Sequence, residues 1–236
     1  MMAEFVADIG NSGIKLCSTR PRSKPEITRF AGAPAACCWL KSRGAAFVLI
    51  GSVNGPLEKT FVRLLKKHGI SFRLAGKTHL GGLVSDYDLK QIGPDRLANI
   101  VAARKRYKAK NLIVLDSGTA LTVDVIEGNR FTGGFILPGL QTMLTALHDR
   151  TDLLPRLKAR TLKPSIGRNT AQAMMSGCSI LFDGGVLAVL DFIRKKRKKR
   201  YTLILTGGGP IPKRLPFPSV RDPLLTFIGI RELSCR

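Results

Sequence analysis

Apolar residues recur along this chain in two rhythms. Short, nearly continuous apolar runs, which suit strands covered on both faces, fall at Glu4–Ile9, Ile14–Cys17, Ala46–Ile50, Asn111–Leu115, Leu121–Ile126, Arg130–Leu137 and Thr202–Thr206. Between them lie segments whose apolar residues stand three and four apart, the spacing of one helix face. Leu57, Phe61, Leu64 and Leu65 form such a face in a segment that stops at Gly69. Leu97, Ile100 and Val101 form another behind Pro94, a residue suited to a first helical position, and Leu140, Met143, Leu144 and Leu147 form a third. Pairs of strands that give way to helices predict an α/β or α+β class with helices over a mixed sheet.

One pattern occurs twice. In FVADIGNSGIKL, residues 5–16, an apolar strand ends on Asp8, a glycine and small polar residues turn the chain, and Lys15 stands in a second apolar run. LIVLDSGTALTVDV, residues 112–125, repeats it with Asp116 and Gly118 in the same places. Two halves that each open on one such hairpin are expected, divided inside the basic stretch RKRYKAK, as 1–107 and 108–236. The length of 236 residues accommodates two such halves.

Composition narrows the setting. Hydrophobic residues make up 44% and charged residues 23%, an ordinary globular balance that argues against long disordered tracts. No uninterrupted apolar run approaches the roughly 18 residues of a membrane span, and MMAEFVADIG lacks the features of a signal peptide, so a cytoplasmic protein without membrane contact is expected. The five cysteines (Cys17, Cys37, Cys38, Cys178 and Cys235) form no C-x-x-C pair or zinc-spaced cluster and read as free thiols. The formal net charge of +23 draws in anions of any kind, from nucleotides to nucleic acid.

Glycine after each carboxylate allows a tight turn, and the N–H groups of Asn11 and Ser12, or of Thr119 and Ala120, are then available to phosphate oxygens. Facing each other, two such loops would clamp a triphosphate, with Asp8 and Asp116 holding cations and Lys15 adding positive charge. An ordinary hairpin turn asks for the same residues; the repeat and the lysine favour phosphate. In IGPDRLANIVAA, residues 92–103, Pro94 and Asp95 make a good helix start and Arg96 a surface charge, and from the residues alone this plain reading is preferred. The chemical reading gives Asp95 a substrate hydroxyl's proton and Arg96 a substrate carboxylate.

SFRLAGKT, residues 71–78, ends like a P-loop, but Ser71 stands where the first glycine is required and Phe72, Arg73 and Leu74 are bulky; it reads as strand then turn. TGGGP, residues 206–210, has glycines that would admit a nucleotide's base or ribose, or simply turn the chain. RKKRKKR at 194–200 follows the apolar helix pattern VLAVLDFI and reads as a solvated helix end. A nucleic-acid patch is the sharper reading and is not favoured, because no stacking aromatics are interleaved. His68, His79 and His148 are scattered.

Taken together and in order, DIGNSGIK (8–15), GPDRLAN (93–99), DSGTALTVD (116–124), GGFILPGLQTMLTAL (133–147), LP (154–155), IGRNTAQAMMSG (166–177), LTGGG (205–209) and DPLLTFIGI (222–230) resemble the type III pantothenate kinases of the acetate and sugar kinase/Hsc70/actin superfamily. The resemblance implies an α/β fold of two ribonuclease-H-like (actin-like ATPase) domains, each a mixed sheet flanked by helices, with ATP between them. It implies phosphorylation of pantothenate by ATP with Mg2+ and a monovalent cation, K+ or NH4+, in a homodimer. By position, Asp8, Ile9, Gly10, Asn11, Ser12, Gly13, Ile14 and Lys15 would form the first phosphate loop, with Asp8 at magnesium. Thr119 would contact ATP, Asp116 would hold the monovalent cation, and Asp95 would accept the proton. Gly93, Pro94, Asp95 and Arg96 would bind pantothenate, with Thr170 reaching it in the neighbouring subunit. Tyr87 stands six residues before Gly93, where the family's substrate-contacting tyrosine stands seven before. The basic charge is not part of the family pattern; it belongs to the alternative expectation of a regulatory or polyanion-binding protein on the same fold.

Overall fold

The computed structural model describes residues 5–18, 25–76, 82–160 and 163–234. His79 and Cys235, and the end of the P-loop-like stretch at Lys77 and Thr78, lie outside them. The chain forms two compact units. The first comprises Met1–Lys108, Asn129–Phe131 and Leu224–Arg236, and the second comprises Ala109–Gly128 and Thr132–Pro223.

In the first unit the elements are β1 (Phe5–Gly10), β2 (Gly13–Ser18), β3 (Ile27–Phe30), α1 (Ala33–Ser42), β4 (Phe47–Ser52), α2 (Gly55–Lys67), β5 (Ser71–Leu74), β6 (Val84–Ser85) and α3 (Pro94–Arg106). Five strands make a sheet in the order β3-β2-β1-β4-β5, with β1 antiparallel to β2 and parallel to β4. Phe5, Ala7 and Ile9 of β1 and Ile14 and Leu16 of β2 are buried with Ala36, Cys37 and Leu40 of α1 and Phe61 and Leu65 of α2. The helix face expected from Leu57, Phe61, Leu64 and Leu65 is therefore the core face. Asn54 caps α2, its side chain accepting from Leu57 N–H at 3.1 Å, and Pro56 fits the first turn. The helix closes at Gly69, whose φ of +68° lies in the left-handed region open to glycine.

The second unit holds β7 (Asn111–Ser117), β8 (Ala120–Glu127), β9 (Arg130–Pro138), α4 (Leu140–Asp149), α5 (Thr170–Arg197), β10 (Thr202–Gly207) and β11 (Ser219–Arg221). Its strands run β11-β10-β7-β8-β9, and the first two residues of β9 also pair in parallel with β6. That pairing explains why Asn129–Phe131 belong with the first unit. The hairpin repeat is visible in the topology: β7, like β1, has an antiparallel hairpin partner on one side and a parallel strand on the other. Two mixed sheets flanked by helices give the expected α/β class.

The last element described, α6 (Leu225–Ser234), returns to the first unit. Neither α6 nor α1 carries a long apolar stripe, and β3, β6 and β11 are four, two and three residues long, so none of these five was anticipated. α5 is 28 residues long and by length and composition apolar enough to cross a membrane. Met174, Met175, Cys178, Phe182, Val186, Leu190 and Ile193 nevertheless line one of its faces and are buried in the second unit's core. No uninterrupted apolar run marks it in the sequence because Ser176, Gly177 and Asp183 break the pattern.

The basic run follows from this helix. α5 ends at Arg197, and Lys198 takes a left-handed conformation, φ +49°, that stops it. Arg194 and Lys195 pair with Asp191 one turn back, and Arg197 and Lys199 reach Glu127 of β8 at 3.1 and 2.5 Å, with Tyr201 also donating its hydroxyl to Glu127. Burial pushes the Glu127 carboxyl up, but the hydrogen bonds from Lys199 and Tyr201 and the Arg197 charge more than offset this and hold it below the ordinary value of 4.5. A carboxylate with a depressed pKa contributes stability that is present above its unfolded value and lost as pH falls through the folded one. Glu127→Gln is expected to cost about 1–2 kcal/mol at pH 7. In thermal unfolding scans, the gap from the parent should close as pH is lowered below about 4.3.

Candidate functional site

The tip of the first hairpin is a two-residue turn. Gly10 pairs with Gly13, so Asn11 and Ser12 make the turn and are exposed. Gly13 has φ +127°, and a methyl group there would lie 2.2 Å from the Phe30 carbonyl oxygen, so only glycine lets β3 come so close. The register sets Asp8 opposite Lys15, whose ammonium donates to Asp8 Oδ2 at 2.8 Å. On its other side Asp8 faces Gly51 of β4.

α3 brings the second carboxylate. Gly93 precedes the helix, Pro94 opens it, and Asp95 in the first turn accepts the Arg96 backbone N–H on Oδ1 at 2.8 Å. A side chain on Gly93 would meet that same oxygen at 2.6 Å. Burial raises the Asp95 carboxyl above its ordinary range; the Arg96 backbone hydrogen bond opposes this, and the negative charge of Asp8 adds to it. Asp8 and Asp95 are thus close enough to feel one another, and a carboxyl with a raised pKa is a better proton acceptor when ionised.

Arg96 is not the surface charge of the plain sequence reading. It is 5% exposed, its guanidinium lies over the Tyr87 ring at 5.0 Å, and Nη1 donates to the Tyr87 hydroxyl at 3.3 Å. Tyr87 in turn packs on Phe131, ring centroids 5.7 Å apart. The first unit therefore brings Asp8 and Lys15 together, brings Asp95 within electrostatic reach of them, and sets Arg96 against Tyr87. Arg96 escaped the plain reading because its burial depends on Tyr87, which lies in irregular chain that periodicity does not describe.

In the second unit, Asp116 and Ser117 end β7, Gly118, Thr119 and Ala120 are exposed at the turn, and Gly118 N–H bonds to Ala120 O at 3.0 Å. The TGGG stretch closes on this hairpin. Gly208 and Gly209 N–H both donate to Ser117 O, at 3.0 and 2.7 Å, and Ser117 Oγ donates to Pro210 O at 2.7 Å. Gly207, φ +88°, has no room for a side chain, which would stand 2.3 Å from Ser117 O and 2.4 Å from Asp116 Oδ1. The glycines thus let two loops of the protein interlock around Asp116. The start of α4 is bound to the same turn: Gly139 N–H and Thr142 Oγ1 donate to Thr119 O at 2.9 and 2.5 Å. Gly139 and Thr142 were missed because their partner, Thr119, stands 20 and 23 residues earlier and meets them only after β8 and β9 have folded back.

Thr170 is the exposed first residue of α5. Asn169 caps that helix by accepting Gln172 N–H at 2.9 Å, while Gln172 Oε1 accepts Arg168 N–H at 3.0 Å, a reciprocal pair that fixes where the helix starts. Among the described residues, no three His, Cys, Asp or Glu side chains converge as a metal cage. Single aspartates offer hard oxygen ligands, which suit magnesium that keeps phosphate and water in its remaining positions and suit an alkali cation likewise.

Comparison with known proteins identifies the architecture and the family. The family model described as type III pantothenate kinase matches residues 4–191. The type III pantothenate kinase of Petrotoga mobilis is 32% identical over 188 residues, covering 79% of this chain and 73% of its own, and that of Finegoldia magna is 33% identical over 194 residues, covering 79% and 74%. Among solved structures, a conserved Baf family protein from Campylobacter jejuni superposes with a TM-score of 0.56 at 22% identity, over 97% of this chain and 96% of its own. The ethanolamine utilization protein EutJ from Carboxydothermus hydrogenoformans does so with 0.53 at 15%, over 98% and 89%. A ROK family glucokinase from Streptomyces griseus, in complex with glucose and AMPPNP, does so with 0.51 at 11%, over 99% of each chain. These three share the fold.

The raised Asp95 carboxyl makes a prediction about stability. Its charged form is the penalised one, so the penalty is present at neutral pH and vanishes once pH falls below the carboxylate range. Asp95→Asn keeps an oxygen for the Arg96 N–H and removes the charge. Its melting temperature should exceed the parent's at pH 7.5, with the difference shrinking towards pH 4, as read by differential scanning fluorimetry.

Proposed function

The chain belongs to the type III pantothenate kinases, ATP-dependent enzymes that phosphorylate pantothenate in coenzyme A biosynthesis, and from that premise we propose how its residues divide the work. Asp95 accepts the proton of the pantothenate hydroxyl as the phosphoryl group is transferred from ATP. The observation that carries this assignment is the desolvated Asp95 carboxylate at the start of α3, raised in pKa and within reach of the Asp8 charge.

Gly93, Pro94 and Arg96 bind pantothenate beside it. Arg96, buried and stacked on Tyr87, offers its guanidinium to the substrate carboxylate, and Tyr87 keeps that guanidinium in place. Tyr87 meets the substrate side of the site through Arg96, whatever its offset from the family's tyrosine. Residues 8–15 cradle the phosphates with the exposed Asn11–Ser12 turn and with Lys15. Asp8 is the ligand for Mg2+, Asp116 the ligand for the monovalent cation, K+ or NH4+, and Thr119 a contact for ATP. When bound, the cations neutralise charge on the phosphates, which a loose transition state requires more than covalent help. Around them, the chain's own part is to position and orient: the Ser117–Gly209 interlock fixes Asp116, and the ion pair with Lys15 fixes Asp8.

The active form is a homodimer in which Thr170 of one subunit reaches the pantothenate of the other, and the enzyme works in the cytoplasm. Family membership sets aside the non-catalytic alternative. Four basic residues of the 194–200 run are engaged with Asp191 and Glu127, which supports its reading as a helix end.

A coupled assay of pantothenate-dependent ADP release tests the assignments. Asp95→Asn should lower kcat by about 10²–10⁴-fold, and replacing K+ by Na+ should lower the parent's rate; parent-like turnover by the variant would remove Asp95 from the chemistry. Arg96→Met should act chiefly on the KM for pantothenate. For the dimer, Asp95→Asn and Thr170→Trp should each be inactive alone. After the two are unfolded and refolded together, roughly a quarter of parental activity should return, since half the dimers are mixed and each mixed dimer has one intact site.

A further inference from the structure

The GPDRLAN motif contains a residue that the proposed chemistry does not use. Asn99 lies in α3 one turn beyond Asp95 and Arg96, is wholly buried, and accepts the Thr226 hydroxyl of α6 on Oδ1 at 2.8 Å. Thr226 is itself 7% exposed, so both partners are out of water. A buried polar pair of this kind holds its two helices at one relative height and rotation, because any slip leaves the amide oxygen without its donor.

The backbones are as close as the side chains. A methyl built on Gly229 of α6 would stand 2.0 Å from the carbonyl oxygen and 2.6 Å from the Cα of Ala98, so α6 rests directly on the α3 main chain. One residue further, Ile230 fills the space above Gly51, where a methyl would come within 2.6 Å of Ile230 Cγ1. Gly51 is the residue paired with Asp8 in the sheet. α6 thus touches the strand next to Asp8 and the helix that carries Asp95. Its far end is tied down twice: Lys105 Nζ of α3 pairs with Glu232 at 2.5 Å, and Arg73 Nη1 of β5 donates to Ser234 O at 2.8 Å.

We propose that α6 is a positioning element of the acceptor end of the active site, with Thr226 and Gly229 setting the placement of α3, and through it of Asp95 and Arg96, by way of Asn99 and Ala98. Neither residue touches substrate in this scheme. The proposal rests on the assignment of Asp95 and Arg96 to proton acceptance and pantothenate binding. It requires that removing the Thr226 hydroxyl disturb the pantothenate side of the reaction and spare the nucleotide, since that hydroxyl bonds to Asn99 of α3; Gly229, next to the Ile230 that covers Gly51 beside Asp8, tests the α3 contact without that restriction.

Three substitutions separate positioning from simple stability. Thr226→Val is nearly isosteric and removes only the hydroxyl; Thr226→Ser restores it; Gly229→Ala forces the helices apart. Each would be assayed well below its own melting temperature, with kcat and the KM for pantothenate from steady-state kinetics and the Kd for ADP with magnesium from calorimetry. Thr226→Val should lower kcat/KM for pantothenate about tenfold or more with the ADP Kd within twofold of the parent's, Gly229→Ala should lower kcat/KM at least as far, and Thr226→Ser should return to within about threefold of the parent. Should Thr226→Val fail to fold, Thr226→Ala, which leaves space for a water beside Asn99, carries the same expectation. Parent-like kcat/KM in both the hydroxyl-free and the Gly229 variants would overturn the proposal, and so would an equal loss of ADP affinity in Thr226→Val, which marks general loosening. The premise has its own control: an Asp95→Asn enzyme of full activity removes the assignment of Asp95, a result distinct from unaltered Thr226 variants in an enzyme that Asp95→Asn has inactivated.

Discussion

A half-buried carboxylate near a second, buried one is the constraint around which the first unit is organised. Asp95 has a raised pKa because its surroundings are poor in solvent and Asp8 adds its negative charge; left to itself, such a pair would drive the segments apart or take up a proton. Several features of the sequence answer that tendency. Lys15 is placed by strand register directly opposite Asp8, Arg96 N–H is placed by the helix start on Asp95, and glycine stands at Gly93 where any side chain would strike the Asp95 oxygen.

Much of this is legible in the chain. The strands of both hairpins, the core face of α2, the Pro94 helix start and the helix before the basic run follow from local periodicity and capping chemistry. The paired D-x-G tips also follow, because a turn is written in consecutive residues. Arg96 does not, since an arginine at a helix start is ordinarily solvated and nothing next to it in sequence announces Tyr87. α1 and α6 are ten residues each; α1 is rich in small residues, and in α6 large apolar residues follow one another too closely to mark one face. The glycines of 206–210 show another limit: they are recognisable as points of close approach, but what approaches Gly207 and Gly209 is Ser117, ninety residues away along the chain, brought there by parallel pairing of β7 with β10.

Charge illustrates the difference between composition and arrangement. A net charge of +23 predicts a strong field, yet the most basic segment is largely explained by its place at the end of α5. There Asp191 and Glu127 take four of its cations, and the helix's negative pole favours the rest. The Tyr201 hydroxyl on Glu127 fastens the start of β10 to the same carboxylate, so this acid at the end of β8 links the end of α5 to the next strand.

The return of α6 to the first unit bears on how the protein is born. A chain made from its N-terminus exposes the α3 surface around Ala98 and Asn99 for the whole time that residues 109–223 are being synthesised, and it is α6, made after them, that covers it. The second unit is contiguous but for three residues and is complete before that moment. The contacts that α3 makes at Ala98 and Asn99 therefore form only after residues 225–234 have been made, and a polypeptide cut short at residue 224 has both hairpins but leaves that surface of α3 uncovered.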